Sequence, residues 1–414
     1  MQYYRFPQKK LYSAAFALIM LWLLLMTRDA MYSMMVWDFY TCQFLSLGLM
    51  ALMGAAFVLN NRRQLKAVLL DCRMIVLIGA SVVMLLPMVV KQDWQLMYFS
   101  ILLGVIFAVF LSYFVTLREV ALWYVITLAV IGVWSMLCSY VLRIFVDNGI
   151  FSVPLVTNAT DTLFHNFGLA IVPDTYVKHR NFGIFREPGV FQFFVLMALY
   201  LNNYSLEWKD QRQLWVLNGI LAVTMLSTFA TGGMIELCLL AFVLFIDKKW
   251  YRDRRICIVA LILAAMAGAV VAYCIAVQNG LYWALWDMVT KFTSNPESTG
   301  SRLNSIAVGV EISFRSPIFG ESVDSVLHAI QDYSASTLIL YNIFGFLGGS
   351  LNVVGWILLV HKQGQKLWVS LALLLILFMS FNTQMLAWNI FFWLFPMLAL
   401  TERTVPLLKR KKKV

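Results

Sequence analysis

Apolar residues fill long runs along almost the whole chain, and the polar positions between them gather in short, mostly basic clusters. Twelve runs stand out, over residues 11–27, 39–59, 73–90, 94–117, 119–142, 190–204, 214–229, 234–246, 256–277, 337–360, 367–381 and 385–400. Lipid cannot hydrogen-bond exposed backbone groups, so runs of this kind predict helices that satisfy their own. Several are shorter than the roughly 20 residues of a simple span, which fits tilted or broken helices or a locally thinned bilayer. The expected fold is an all-α polytopic membrane protein of about twelve transmembrane helices.

The polar intervals set the organisation. Residues 1–142 hold five runs, 190–277 four, and 337–414 three with a basic tail. Two long intervals, 143–189 and 278–336, separate these groups. Both contain Trp, Phe, Tyr or Pro with little low complexity, and loops of this length between packed helices are usually functional or disordered, so folded caps are expected. With the N-terminus on the inner side, 23 of the 32 Lys and Arg fall on inner loops and termini and nine on the outer side. That is the positive-inside bias; an even number of spans returns the C-terminus to the same side and places both long loops outside. The run at 11–27 follows a basic start but precedes no small-residue cleavage site in "MTRDAMYSMM", so it is read as a retained anchor.

Composition agrees with this reading. The chain of 414 residues is 61% hydrophobic and 13% charged, with mean hydropathy +0.78, which excludes an ordinary soluble domain. The net charge of +11 resides in inner loops and in "KRKKKV", where it orients the protein against anionic membrane lipid; no nucleic-acid partner is expected. Six cysteines form no CxxC or Cys/His grouping, so neither a disulfide framework nor a metal site is expected. P-loop, dinucleotide-binding, zinc-protease and serine-hydrolase motifs are all absent.

The outer cations run against the orientation bias and need compensation. Lys178, Arg180 and Arg186 crowd "VKHRNFGIFREPG", while Arg302 and Arg315 lie in the second long loop. Two readings remain open. These groups pair with Glu187, Asp174, Glu311 or lipid headgroups, or they form an anion site, since guanidinium forks grip phosphate oxygens bidentately. Pro188 predicts a helix start beside Glu187, which either stands at that N-terminus as a favourable carboxylate or is held there for chemistry. His328 is either a satisfied hydrogen-bonding residue or a general base oriented by Asp332, one helical turn away and next to Tyr333. Glu236, near the outer end of a short run, is a functional candidate or a cap on the "ATGG" turn.

The combination resembles a family, the bacterial O-antigen polymerase and O-antigen ligase superfamily of polytopic glycosyltransferases. "NFGIFREPGVFQFF" is similar to its G-x-F-x-E-P helix start, and "LSTFATGG" to its Ser/Thr-Gly tight turn. "STGSRLNSIAVGVEISFRSPIFGES" and "DYSASTLILYNIFGFLGG" resemble two further stretches in the same order, with Glu321 standing where a second glycine is usual. The likeness covers Asn181 to Gly349; the first five runs match only in hydropathy and number.

The resemblance implies a GT-C-like fold in the bacterial inner membrane, with both termini cytoplasmic, the active site facing the periplasm, and no metal or other cofactor. The implied donor is an oligosaccharide linked to undecaprenyl pyrophosphate, attacked at its anomeric carbon by an acceptor hydroxyl with inversion. Lys178, Arg180, Arg186, Arg302, Arg315 and Tyr333 would bind the pyrophosphate and substrate, and Glu187, or His328 with Asp332, would take the acceptor proton. Tyr176, Trp283 and Trp286 would stack on sugars. "FREPG" favours a repeat-unit polymerase, with a chain-length regulator protein as a candidate partner. A ligase acting on lipid A-core and a polysaccharide transporter or flippase stay open as alternatives.

Overall fold

The computed structural model describes residues 10–60, 72–158, 161–174, 180–277, 296–330, 335–362 and 364–410. The chain is mostly helical, and each of the twelve apolar runs carries a helix. The first five are α1 (Lys10–Met26), α2 (Phe39–Asn60), α3 (Cys72–Lys91), α4 (Leu96–Leu111) and α5 (Leu117–Leu137). The fifth passes through a π-helical turn, Cys138–Leu142, into α6 (Arg143–Asp147). After the first long interval come α7 (Pro188–Tyr204), α8 (Gln211–Ser227), α9 (Thr231–Asp247) and α10 (Arg254–Val277). The remainder is α11 (Pro296–Arg315), α12 (Val323–Ala329), α13 (Ser336–Val360), α14 (Leu367–Phe381) and α15 (Ile390–Arg410).

Among the described residues, three helical stretches are long and apolar enough to cross a membrane: Arg73–Lys91, Leu117–Asp147 and Ser336–Val360. The periphery is apolar too, with Leu18, Phe44, Ile75 and Leu261 all exposed. In water a periphery of this kind would drive aggregation, whereas lipid is a matching solvent for it.

Helix α7 is the centre of the bundle, with 15 of its 17 residues buried. A helix that is apolar all round has no solvent face to offer and must be enclosed. It packs on α5, α8 and α9, and aromatic contacts tie it to the C-terminal helices. Phe194 meets Phe391 edge-on at 5.5 Å, and Phe193 meets Phe381 at 5.7 Å. Tyr124 of α5 donates to the Phe194 carbonyl at 3.1 Å, so its buried hydroxyl is satisfied.

The long intervals are partly built. The first contributes a three-stranded antiparallel sheet, β1 (Leu155–Thr157), β2 (Leu163–Asn166) and β3 (Ile171–Pro173), in that order, with Val156 opposite Phe164 and His165 opposite Val172. This is the one departure from an all-helical chain among the described elements. The second interval holds the 20-residue α11, too polar to register as an apolar run.

The run at 337–360 is not one straight helix. Gly345 breaks α13 with φ 65° and ψ −170°, a conformation open only to glycine without strain. The "PIFGES" turn enters the break. Phe346 N–H donates to the Pro317 carbonyl and Glu321 N–H to the Asn342 carbonyl, both at 2.7 Å. The Lys91 ammonium bridges the two parts, donating to the carbonyls of Glu321 at 2.7 Å and Ile343 at 2.6 Å.

Candidate functional site

The stretch "RNFGIFREPG" is fastened at almost every residue. Arg180 Nε donates to the Thr228 carbonyl at 3.1 Å, in the turn joining α8 and α9. Asn181 is fully buried and donates from Nδ2 to Ser135 Oγ at 3.0 Å and Ser227 Oγ at 2.9 Å, while its Oδ1 accepts from Gly183 N–H. Gly183 has φ +58°, and a Cβ there would come within 2.8 Å of the Phe191 ring. Phe185 stacks on Phe194 with ring centroids 4.2 Å apart. The sheet rests on this stretch through Ile171 N–H, which donates to the Gly183 carbonyl at 2.7 Å.

The partner strand for this stretch is the turn after α1. Ala30 and Phe185 form an antiparallel bridge, with Met31 N–H donating to the Ile184 carbonyl and Arg186 N–H to the Asp29 carbonyl. That pairing brings side chains together. Arg186 Nε donates to Asp29 Oδ1 at 3.0 Å and its Nη1 to Glu187 Oε1 at 2.9 Å. Asn389 Nδ2 donates to the other Asp29 oxygen at 3.0 Å. The Asp29 side chain is 3% exposed and that of Arg186 25%. Burial works against the Arg186 charge, but the Asp29 and Glu187 carboxylates outweigh it and raise its pKa. Arg28 is next to Asp29 and lies 5.0 Å from the Trp388 ring. Burial lowers its pKa, Asp29 opposes that, and the nearby Arg186 charge adds to it.

Glu187 is the N-cap residue of α7, with Pro188 following it as the sequence predicts. Its carboxylate makes no capping hydrogen bond; it accepts from Arg186 instead. One turn into the helix, Gln192 Nε2 donates to Glu236 Oε2 at 2.7 Å. Glu236 is 1% exposed, so it lies inside the bundle, and its partner here is Gln192 rather than the "ATGG" turn.

The other candidates are more dispersed. Arg315 pairs with Glu311 at 2.8 Å and lies 3.7 Å from Glu321, which is the ordinary surface pairing of an (i, i+4) helix face. His328, in the last turn of α12, is exposed, with Nδ1 2.7 Å from the Asp324 carbonyl. Arg302 belongs to α11, its side chain outside the described part. Lys178, Asp332 and Tyr333 lie outside the described residues, as do Tyr176, Trp283 and Trp286. His165 on β2 contacts Asp174 at 3.0 Å, and the Arg143 guanidinium donates to the Asp174 carbonyl at 2.8 Å.

Asp29 and Arg28 escape a sequence reading because they lie in a short turn with no periodicity, and Asn389 because it sits inside the apolar run at 385–400. The available signal was an acid flanked by a cation at the end of the first apolar run.

The fold and these charges define a helical bundle of membrane type with an ionic cluster at the head of its central helix. No family model, curated protein or solved structure matches the chain.

Proposed function

We propose that this protein is a membrane glycosyltransferase, an O-antigen or polysaccharide repeat-unit polymerase of the bacterial inner membrane. It would transfer glycan from undecaprenyl pyrophosphate to the acceptor sugar hydroxyl of another lipid-linked repeat unit at the periplasmic face. The observation that carries the reading is the cluster in which Arg186 is held by Asp29 and Glu187, with Arg28 beside them, at the mouth of an apolar bundle. Two guanidiniums close together at such a place present several N–H groups to an anionic ligand.

In this reaction the acceptor oxygen forms a bond to the donor's anomeric carbon. The bond from that carbon to the pyrophosphate oxygen breaks, and undecaprenyl pyrophosphate leaves with the electron pair. Arg180 and Arg186 stabilise the charge developing on the leaving group, the electrostatic contribution that is usually largest. Glu187 holds Arg186, which makes it a positioning residue first, and the exposed His328 is the candidate to take the acceptor proton.

Deleting the gene and resolving the lipopolysaccharide on a gel tests the reading. A polymerase leaves a single repeat on the core. Bare core with long chains still on the lipid carrier would replace polymerase with ligase. Purified protein given synthetic undecaprenyl-pyrophosphate oligosaccharide should lengthen it; a transporter would not.

A further inference from the structure

The reaction proposed above makes no use of Glu236, the buried acid in the second turn of α9. α9 packs on α7, α8 and α14, and Glu236, Gln192 of α7 and Ser380 of α14 are each 2% exposed or less. Gly233 makes the approach possible. A Cβ there would lie 2.7 Å from Gln192 Cδ, so a side chain at that position would push the amide away from Glu236. Gln192 Nε2 donates to Glu236 Oε2 at 2.7 Å, and Ser380 lies beside the carboxyl. Yet Glu236 Oε1 and Ser380 Oγ both lack a hydrogen-bond partner among the described residues. Buried polar groups are nearly always paired, so two orphans side by side need an explanation.

No positive charge answers this acid. α7 and α14 contain no charged residue, and α8 has only Arg212, in its first turn. On α9 itself the other acid is Asp247, at the far end, with Arg252 in the short turn beyond it. Arg180 donates to the Thr228 carbonyl in the turn before α9 and makes no ion pair with Glu236. The remaining titratable groups on these helices are turned elsewhere. Tyr200 donates to the Leu359 carbonyl, Tyr204 lies 5.1 Å from the Lys248 ammonium, and Cys238 is exposed. An ionised carboxylate at Glu236 would be a bare charge inside an apolar bundle, which is costly.

We infer that Glu236, Gln192 and Ser380 form a proton-binding site, with Glu236 held as a neutral carboxylic acid between α7, α9 and α14. A proton on Oε1 removes the charge and turns an unpaired acceptor into a donor beside the Ser380 hydroxyl, which can accept it. Oε2 stays free to accept from Gln192. A proton needs no cavity, whereas hard metal cations take about six or more oxygen ligands. No group of three His, Cys, Asp or Glu side chains able to hold a metal occurs among the described residues. Releasing the proton to water leaves a carboxylate where three helices meet, so the seating of α9 and α14 on the central helix depends on its being bound. The inference goes beyond glycan transfer and holds equally for a polymerase, a ligase or a transporter.

Infrared spectroscopy of the purified full-length chain in detergent, near neutral pH, reads the proton directly. Wild type should show the C=O stretch of a neutral carboxyl group, and Glu236→Gln should lack it. A wild-type spectrum without that band overturns the inference, as does a band that survives in Glu236→Gln. Thermal unfolding gives a second readout. An acid that is neutral when folded and ionised when unfolded costs stability as pH rises. The cost begins above the ordinary glutamate value of about 4.3 and changes the folded-to-unfolded ratio about tenfold per pH unit, until the buried acid itself ionises. The wild-type midpoint should therefore fall relative to that of Glu236→Gln as pH is raised from about 5 to about 8; parallel curves would overturn the inference. A wild-type midpoint raised by sodium but not by potassium at equal ionic strength, an effect absent from Glu236→Gln, would replace the proton with a metal cation. If Glu236→Gln does not fold, Ser380→Ala carries the test. The neutral-carboxyl band should persist and move to higher frequency as its hydrogen bond is lost, and an unmoved band would overturn the site.

Discussion

Asp29 and Arg186 are separated by 157 positions in the chain and by 3.0 Å in space. The backbone bridge between Ala30 and Phe185 sets this approach before any side chain is considered. Asp29 also accepts from Asn389, so one buried carboxylate joins the turn after α1, the start of α7 and the start of α15.

Removing that carboxylate leaves a largely buried guanidinium with one partner in place of two. Asp29→Ala should destabilise the protein by about 3 kcal/mol, the range seen when one member of a buried ion pair is deleted. Thermal unfolding in detergent measures this. A midpoint unchanged from wild type would show that Glu187 and the backbone bridge between Ala30 and Phe185 hold the junction without it.

Arg186→Ala should abolish glycan elongation while membrane insertion persists. Arg186→Lys should also lose activity, by about tenfold or more, because an ammonium cannot hold Asp29 and Glu187 at once through fixed Nε and Nη1 positions. Chain length on a lipopolysaccharide gel is the readout. Near-normal ladders in Arg186→Lys would mean that charge alone suffices.

Gly183→Ala faces two obstacles, a left-handed backbone and the Phe191 ring. The backbone alone costs about 1–2 kcal/mol. Pairing it with Phe191→Leu should restore part of the loss in a thermal melt; no restoration would assign the whole cost to the backbone.

Lys91→Met removes the donor to two carbonyls, those of Glu321 and Ile343, at the break in α13. Each buried acceptor left unpaired costs about 1–3 kcal/mol. Amide exchange at Glu321 and Phe346, whose N–H groups hold the "PIFGES" turn in the break, should accelerate before global unfolding. Unchanged protection would show that these backbone bonds hold the turn without the lysine.

Hydropathy located the helices well because lipid solvation acts on long runs. Pro188 marked the start of α7 because its ring fixes φ and removes an N–H that the first helical turn does not use. Features made by tertiary contact were less visible. The residues after 385 are apolar, yet α15 starts only at Ile390, where Asn389 Oδ1 accepts from Phe391 N–H; a window average cannot see that cap. The break at Gly345 was hidden inside an unbroken apolar run, because its cause is the turn at Pro317–Gly320 approaching from elsewhere. The arginine–carboxylate pairings were legible where partners were neighbours, as for Arg186 with Glu187 and Arg315 with Glu311. Asp29 was not, since nothing local points from the first turn to the seventh helix.

Enclosure of α7 on all sides also constrains how the chain is made. Its aromatic face is completed by Phe391, near the start of the last helix, roughly two hundred residues later in synthesis. Until that helix emerges from the ribosome, Phe194 must rest against lipid or the insertion machinery. Assembly of the centre is therefore a late, post-insertion event, and a nascent chain stopped short of α15 would expose its own middle.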